Sequence, residues 1–421
     1  MNGPMSRRDF MAASAAAGVL MASPHSFAHA QGSGQIKVGL IGCGGRGTGA
    51  AANAVAASPD VVIHAMGDIF RDKIEGSRNW LKETVKEKFQ VTEDRMFLGF
   101  DSYKKVIASG VDYIILASPP GFRPDHFRAA IEAGKHVFFE KPVATDVWGV
   151  KEIMAASDLA KQKGLGVAAG TQRRHDLAYR ECINRIHDGQ IGDVLSLCAY
   201  WNQGGLWFNV RQPQWSDLEY QLRNWLYYTY LSADMIAEQH IHNIDVCNWA
   251  KNAVPVSAVS LGGRQVRTAE IFGHIYDHFA TEYTYADGTK MHSYCRQQDG
   301  TKSAVWEHII GSKGKSDANN WINGENAWRW DRDASRPNPY ELEHKNLIDS
   351  IKAGNPINEG RTVAEATMTA IMGRVAAYTG QEVKWDDLMK MDQRSFPETF
   401  AFGMKVPVKD VAMPGKTPLP G

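Results

Sequence analysis

The sequence predicts an α/β protein in two parts: a doubly wound parallel sheet, followed by an α+β domain with a mostly antiparallel open sheet. Three observations lead to this fold class. An apolar run, a glycine-rich turn and a helix start follow one another over residues 36–47. From there to about residue 160, strand-like and helix-like runs alternate, which is typical of parallel sheets. The later strands are longer, and Asp287-Gly288 between two of them indicates a hairpin.

The glycine-rich turn lies in the segment IKVGLIGCGGRG, where Gly42, Gly44 and Gly47 satisfy the pattern G-x-G-x-x-G. The first glycine lets the chain reverse, the second admits a pyrophosphate to the backbone, and the third lets helix and strand pack closely. The helix that follows offers unpaired N–H groups to phosphates. The motif alone is weak, because glycine turns are common, but it predicts a Rossmann domain that binds a dinucleotide.

The remaining elements of this first domain, placed at residues 35–160, follow from apolar runs and their boundaries. Helices end at Ser58-Pro59 and Gly134-Lys135, and Pro124 suits a first helical turn. The predicted strands cover residues 36–41, 61–66, 96–98, 113–117, 136–139 and 165–169. The predicted helices cover residues 47–57, 71–88, 101–108, 124–133 and 146–163.

A second domain, for substrate binding and oligomerisation, is predicted at residues 161–395, with an extended tail at 396–421. Its strands alternate in polarity, so one face of the sheet is expected to be buried. The predicted strands cover residues 194–201, 256–266, 274–285, 291–296 and 306–311. The predicted helices lie near residues 175–187, 233–250 and 362–378.

Residues 1–30 are predicted to be a twin-arginine signal peptide. Arg7-Arg8 precedes a short apolar run, and Ala28-His29-Ala30 suits a cleavage site. The apolar run is too short to span a bilayer, so stable membrane insertion is not expected. The sequence therefore predicts a periplasmic protein that uses the twin-arginine export machinery. Because this route carries folded proteins, a nucleotide cofactor would travel tightly bound.

Composition excludes some classes of partner and metal site. The formal net charge is zero, so nothing favours nucleic acid. The five cysteines form no C-x-x-C pair, which argues against a zinc ribbon. The 12 Trp and 14 Tyr residues suit a core or a sugar-stacking site equally well. Trp201, Trp207 and Trp225 are candidates for a sugar pocket.

Asp68 follows Gly42 by 26 residues, at the end of the second predicted strand. An acid at this position accepts the adenosine ribose hydroxyls and repels a 2′-phosphate, which favours NAD. Arg71, three residues later, could pair with a phosphate, so NADP stays possible. The alternative role of Asp68 is that of a helix cap.

Glu140-Lys141-Pro142 ends a predicted strand at the carboxyl edge of the sheet, where open α/β sheets bind ligands. A partly buried Lys141 could exchange protons with a substrate. The alternative is a surface loop with an ordinary salt bridge.

Glu238, His242 and Asp245 are spaced i, i+4 and i+7, so a continuous helix would place them on one face. Such a group could act as an acid/base unit or hold vicinal hydroxyls. A metal site that includes His240 needs another backbone shape, and we predict no metal. Arg173, after the sixth strand, is expected at the same edge.

Together these segments resemble the Gfo/Idh/MocA oxidoreductases, from Gln35 to about Trp385. The markers are GCGGRG, DYIILASPP, EKP, GTQRRH and EQHIHNID. The resemblance implies hydride transfer between NAD(P) and a sugar or cyclitol carbon, and a homo-oligomer. It implies catalytic roles for Lys141 and His242. Glu238 stands where the family has Asp, and Arg173, His242 and Asp245 are expected to bind substrate. Cofactor contacts are expected from Gly42, Gly44, Gly45, Arg46, Gly47, Asp68, Ser118, Pro119, Glu140 and Lys141.

Two other functions stay open. An NAD-dependent glycoside hydrolase would oxidise a ring carbon transiently, eliminate the glycosidic group, add water and reduce again. A sugar-binding protein without catalysis is the third possibility, although the complete GxGxxG and EKP motifs argue against it.

Overall fold

The computed structural model describes residues 34–420. The predicted signal peptide at residues 1–30 lies outside these residues.

A six-stranded, all-parallel sheet forms the first domain, with the strand order β3-β2-β1-β4-β5-β6. The order reverses between β1 and β4, which opens a crevice at the carboxyl ends of these two strands. The fold class predicted for this part is confirmed. The strands are β1 Ile36–Ile41, β2 Val61–Asp68, β3 Met96–Leu98, β4 Tyr113–Leu116, β5 His136–Phe139 and β6 Val167–Ala169.

Five helices follow the strands of this sheet and pack on its faces. The central strands β4 and β5 are buried along their whole length, as their apolar sequences require. Strand β6 belongs to this sheet although it follows residue 160. The helices are α1 Gly45–Ala57, α2 Arg71–Val85, α3 Ser102–Ala108, α4 Arg123–Glu132 and α5 Val147–Gln162.

A nine-stranded sheet forms the second domain, with the strand order β14-β13-β12-β11-β7-β10-β9-β8-β15. Only β7 and β10 pair in parallel among the strands of this described sheet, so it is mostly antiparallel, as predicted. Its strands are β7 Val194–Gln203, β8 Ser257–Gly263, β9 His278–Thr284, β10 Lys290–Gln297, β11 Ala304–Gly311, β12 Gly314–Ser316, β13 Trp321–Gly324, β14 Trp328–Arg329 and β15 Val383–Lys384.

Helices cover one face of this second sheet, and the other face carries exposed apolar side chains. On that face Leu261 is 75% exposed and Val259 is 51% exposed. The helices of this part are α6 Leu177–His187, α7 Asp217–Arg223, α8 Thr229–Ser232, α9 Met235–Glu238, α10 Ile241–Lys251, α11 Pro339–Lys352, α12 Gly360–Thr379 and α13 Trp385–Lys390.

The prediction of a single helix near residues 233–250 is wrong, because the structure has two helices there, α9 and α10, with a break between them. Side chains at the break are tied to the sheet. The Gln239 amide oxygen accepts a hydrogen bond from Gln203 at 3.2 Å, and the ring of His240 bonds to the hydroxyl of Ser293 at 2.7 Å. These contacts override the local helical pattern. Glu238 and His242 therefore lie on different helices.

Helix α11, which the sequence did not predict, returns from the second half of the chain to the first domain. It packs against α1, and the side chains of Tyr113 and His344 are hydrogen-bonded at 2.5 Å. Just after it, Ile357 and Glu359 bond to the backbone of Val167 at the sheet edge. The first domain is thus completed by residues far along the chain.

The tail predicted to be extended contains neither helix nor strand over its described residues from Met391 on. Within residues 34–420, no helix is both long and apolar enough to cross a membrane.

Candidate active site

The glycine turn has the geometry of a phosphate cradle. Gly42 has φ +94°, which favours glycine, and a Cβ on Gly47 would lie 2.0 Å from the Gly42 carbonyl oxygen. A Cβ on Gly44 or Gly45 would instead meet nothing within 4 Å. Helix α1 has no side-chain cap and no acidic residue in its first turn. The turn is tight where helix and strand pack and open where a pyrophosphate would approach.

A cleft of about 510 Å³ lies over this turn. Asp68 lies in its wall at the end of β2, where its two carboxylate oxygens accept hydrogen bonds from the backbone N–H groups of Cys43 at 2.7 Å and Phe70 at 2.9 Å. Burial raises the pKa of Asp68. Ser118 and Pro119, after β4, complete the floor. These residues fit NAD(P), with the glycine turn at the pyrophosphate and Asp68 at the adenosine ribose.

Arg46 links the cleft to the end of β5. Its guanidinium pairs with Glu140 and, at 2.9 Å, with Glu343, and it stacks over the ring of Tyr340 at 4.8 Å. Burial, together with the neighbouring Glu140, raises the pKa of Glu343. Glu140 is thus engaged by Arg46, which leaves Lys141 to face the second domain.

Lys141 lies between the two domains. Its ammonium donates to the carbonyl oxygen of Glu238 and lies 3.5 Å from a carboxylate oxygen of the same residue. The two side chains are 11% and 17% exposed, so both are shielded without being sealed off. The Lys141-Pro142 peptide bond is cis. The sequence indicated both residues as candidates but did not predict that they pair, and Glu238 ends α9 and does not share a helix with His242.

His242, in the first turn of α10, completes the group. Its ring stacks on Trp201 with a centroid distance of 5.8 Å. Burial, and then the positive charges of Lys141, Arg173 and Arg46, lower the pKa of His242 well below its usual range. The imidazole is therefore neutral near pH 7, which suits a proton acceptor.

Arg173 approaches His242 from the first domain. It pairs with the buried Glu307 on β11, which also accepts hydrogen bonds from Asn243 at 2.7 Å and from the hydroxyl of Tyr179 at 3.2 Å. Burial raises the pKa of Glu307 to about 7. Sequence reasoning did not find Glu307, since nothing in a strand pattern distinguishes a site carboxylate from a tolerated polar residue.

Asp245 follows His242 by three residues on α10, whereas Glu238 lies on α9. Both of its oxygens accept hydrogen bonds from the guanidinium of Arg174 at 2.8 Å, and the side chain is 2% exposed. A direct contact between Asp245 and substrate stays a prediction, and the observed contact gives it a role in holding Arg174.

The aromatic candidates divide between two places. Trp201 lies beside His242, but Trp207 and Trp225 line the nucleotide cleft beside the glycine turn. His240 is buried against Ser293, and burial lowers its pKa to about 3. Over residues 34–420 no group of three His, Cys, Asp or Glu side chains is placed to hold a metal ion.

Comparison with known proteins finds a family model that is similar to the first domain. A family model described as "Oxidoreductase family, NAD-binding Rossmann fold" (GFO_IDH_MocA) matches residues 36–171. This match makes the first domain similar to the NAD-binding domain of the Gfo/Idh/MocA oxidoreductases. This family domain contains the glycine turn, Asp68 and Lys141 described above.

Curated relatives resemble part of the chain. An inositol 2-dehydrogenase 3 of Saccharopolyspora erythraea is 32% identical over 171 residues, which are 40% of this chain and 43% of that protein. A glycosyl hydrolase family 109 protein of Streptomyces coelicolor is 27% identical over 186 residues, 44% of this chain and 37% of that protein. The chain therefore spans less than half the length of these two relatives.

Solved structures resemble nearly the whole described chain. Aldose-aldose oxidoreductase from Caulobacter crescentus superposes with a TM-score of 0.65 at 17% identity, covering 83% of this chain and 99% of that one. Myo-inositol 2-dehydrogenase from Lactobacillus plantarum gives 0.63 at 20% identity, with 83% and 99% covered. At these identities the likeness shows that the two-domain fold is shared.

Proposed function

We propose that this protein is an NAD(P)-dependent oxidoreductase that acts on a CH–OH carbon of a sugar, glycoside or cyclitol. One observation carries the proposal: Lys141, Glu238 and His242 converge at the carboxyl edge of a dinucleotide-binding sheet. Arg46 connects this group to the nucleotide cleft, because it lines the cleft and pairs with Glu140 beside Lys141. The inositol dehydrogenase relative supports a polyol substrate.

NAD(P), when bound, supplies the hydride acceptor or donor. The chain's own residues manage the proton and the orientation of the substrate. The ammonium of Lys141, held by Glu238, donates a hydrogen bond to the reacting oxygen, and the neutral imidazole of His242 receives the alcohol proton. Arg173 hydrogen-bonds a neighbouring hydroxyl. Trp201 packs against the apolar face of the substrate ring.

The position of Asp68 favours NAD over NADP, because a carboxylate there repels a 2′-phosphate. The same proposal includes export through the twin-arginine machinery to the periplasm, with the nucleotide tightly bound. Replacing Arg7 and Arg8 by Lys should abolish periplasmic delivery, as measured by cell fractionation with a cytoplasmic marker. Unchanged delivery would refute the export pathway and leave the chemistry untouched.

A second candidate is an NAD-dependent glycoside hydrolase that uses transient oxidation. It is favoured by the relative described as a glycosyl hydrolase family 109 protein. The same residues would serve it, since His242 and Lys141 can move protons during elimination and water addition. This reaction needs no net change in the redox state of the nucleotide.

The deciding experiment gives purified protein inositols, aldoses and chromogenic glycosides. Mass spectrometry identifies the nucleotide that co-purifies, and absorbance follows the reduced nicotinamide. Lasting reduction by a polyol supports the oxidoreductase. Chromophore release without net reduction supports the hydrolase.

Variants at the site test the assignment of roles. Lys141→Ala and His242→Ala should each lower turnover by about 10²–10⁴-fold, the usual contribution of a positioned acid or base, while nucleotide binding persists. Lys151→Ala is the matched control, because Lys151 pairs with the exposed Asp392 away from the site. If both site variants keep wild-type turnover on an accepted substrate, the proposed chemistry is wrong.

A further inference from the structure

Part of the nucleotide cleft is built by the second domain. Four residues of the second domain line the cleft together with the glycine turn and Asp68: Trp207, Asn209, Arg223 and Trp225, which come from residues 204–226. We call this segment the strap. It leaves the second sheet after β7 and crosses to the first domain, so it closes a cleft that the parallel sheet alone would leave open.

Arg223 anchors the strap to Phe70, in the loop after β2, and to the first turn of α2. Its guanidinium makes two hydrogen bonds to the carboxylate of Asp72, at 3.0 and 3.2 Å, and lies 4.0 Å over the ring of Phe70. Glu219 holds it from the other side at 2.9 Å. The Arg223 side chain is 16% exposed and that of Asp72 is 56% exposed, so the pair lies at the rim of the cleft. Because Asp68 ends β2 two residues before Phe70, the anchor lies near Asp68, where the adenosine ribose is expected.

The strap is held in one shape by its own polar groups. The buried side chain of Asn224 accepts a hydrogen bond from the Asn209 backbone N–H at 2.7 Å and donates to its carbonyl oxygen at 3.0 Å. The hydroxyl of Tyr227 donates to the carbonyl oxygen of Trp207 at 2.8 Å. Trp207 and Trp225, with ring centroids 6.2 Å apart, are thereby fixed in the cleft wall. Trp207 is still 49% exposed, so its ring has surface left to cover.

The C-terminal tail crosses outside the strap and ties it to the first domain a second time. Ser216 donates to the carbonyl oxygen of Phe402 at 2.9 Å, and the ring of Phe402 lies 5.9 Å from Phe70 and 4.9 Å from Phe100. Gln221 donates to the carbonyl oxygen of Val406 at 2.8 Å. Movement of the strap away from the cleft would have to break these contacts as well as the Arg223–Asp72 pair.

We propose that the strap forms the adenosine half of the nucleotide site, with Trp207 stacking on the adenine, the tilted ring of Trp225 packing beside it, and Arg223 holding the wall in place. This inference rests on the NAD(P) cofactor of the proposed function and adds residues that no glycine motif indicates. Aromatic faces suit a purine ring, and stacking on them contributes substantially to binding. The strap keeps the nucleotide tightly bound, because its adenosine end can leave only when both the Arg223–Asp72 pair and the contacts with the C-terminal tail break.

Half-molecule probes test the inference. Calorimetry measures the binding of AMP and of nicotinamide mononucleotide to the nucleotide-free fraction of the full-length chain. Trp207→Ala should weaken AMP about 5- to 150-fold, the range for losing one base–aromatic stack, and leave nicotinamide mononucleotide within about twofold. Arg223→Ala should shorten the half-life of the co-purified nucleotide at least tenfold after dilution, read as nucleotide per chain following gel filtration.

Arg211→Ala is the control, because Arg211 lies on the same strap but pairs with the exposed Asp217 and does not line the cleft. Since Trp207 is half exposed, its replacement should leave the melting temperature unchanged. The inference is overturned if Trp207→Ala binds AMP as the wild type does, or if both probes weaken equally. Wild-type protein that binds neither probe would instead refute the cofactor of the proposed function.

Discussion

Two glycines of the turn should affect different properties when they are replaced: Gly47→Ala should lower stability, and Gly44→Ala should weaken nucleotide binding. Replacing Gly47 by Ala places a Cβ 2.0 Å from the Gly42 carbonyl oxygen and 2.9 Å from the Ala117 Cβ. Real Cβ atoms stay beyond 3.0 Å, so α1 must move by about 1 Å against β1 and β4. Both neighbours belong to buried, hydrogen-bonded backbone or adjoin it, so neither can rotate away as a flexible side chain would.

The size of the effect follows from two opposing terms. Overpacking of this kind lowers the free energy of unfolding by about 1–3 kcal/mol, and we expect about 3 kcal/mol here because the neighbour is a backbone atom. Alanine in place of glycine inside a helix returns about 1 kcal/mol. Gly47→Ala should therefore lower the free energy of unfolding by about 2 kcal/mol, or the melting temperature by about 4–8 °C for a domain of this size.

Gly44→Ala is the matched variant. Gly44 has φ −70° and ψ 177°, which alanine adopts freely, and its Cβ would meet nothing within 4 Å. Its melting temperature should stay within about 1 °C of wild type, while ADP-ribose binding falls at least tenfold because the methyl group occupies the pyrophosphate path. Thermal unfolding and calorimetry measure the two quantities. The reasoning is refuted if Gly47→Ala melts like wild type, or if Gly44→Ala binds ADP-ribose as tightly as the wild type.

Three more predictions concern the carboxylates and the open sheet. Burial raises the pKa of Glu307 from 4.5 to about 7. Its stabilising contribution is therefore complete below pH 4.5 and is lost as pH rises through about 7. Across this window the free energy of unfolding of the wild type, measured with urea, should fall by about 3 kcal/mol relative to that of Glu307→Gln. Parallel pH curves for the two proteins would contradict this. Asp245→Asn leaves the buried guanidinium of Arg174 without its carboxylate and should cost about 3 kcal/mol in the same assay, whereas a change below about 1 kcal/mol would show that the pair is dispensable. Exposed apolar residues on the second sheet predict self-association. Leu261→Asp should therefore reduce the mass measured by light scattering while Val408→Asp on the tail does not, and an equal mass for both variants would exclude this face as the contact.

The parts of the fold that could be predicted are those specified by neighbouring residues. The turn at Gly42 needs a positive φ, and β4 and the rest of β5 after His136 are apolar because helices cover both faces of the sheet. Lys141 could be placed at the carboxyl edge for the same reason, since it follows β5 directly. In each case the physical cause lies within a few residues of the element itself.

Contacts between distant segments could not be predicted. Arg46 meets Glu343 across 297 positions, and no local pattern distinguishes that glutamate from others on an amphipathic helix. The break before His242 depends on side-chain bonds from Gln239 and His240 to the second sheet. That Trp207 lines the cleft over the glycine turn could not be predicted either, because an aromatic residue carries no sign in the sequence of which ring it will face.

Helix α11 has a consequence for anyone who cuts or recombines this chain. Residues 36–171, the part that aligns with the family, are not a separable module, because α11 covers α1 and the segment from Ile357 to Glu359 completes the edge at Val167. Expressed alone, that stretch would present the bare side of α1 and the unpaired edge of β6 to water. A chimera that exchanges substrate domains between relatives should therefore keep residues 339–359 with the N-terminal parent and join the chains on either side of them.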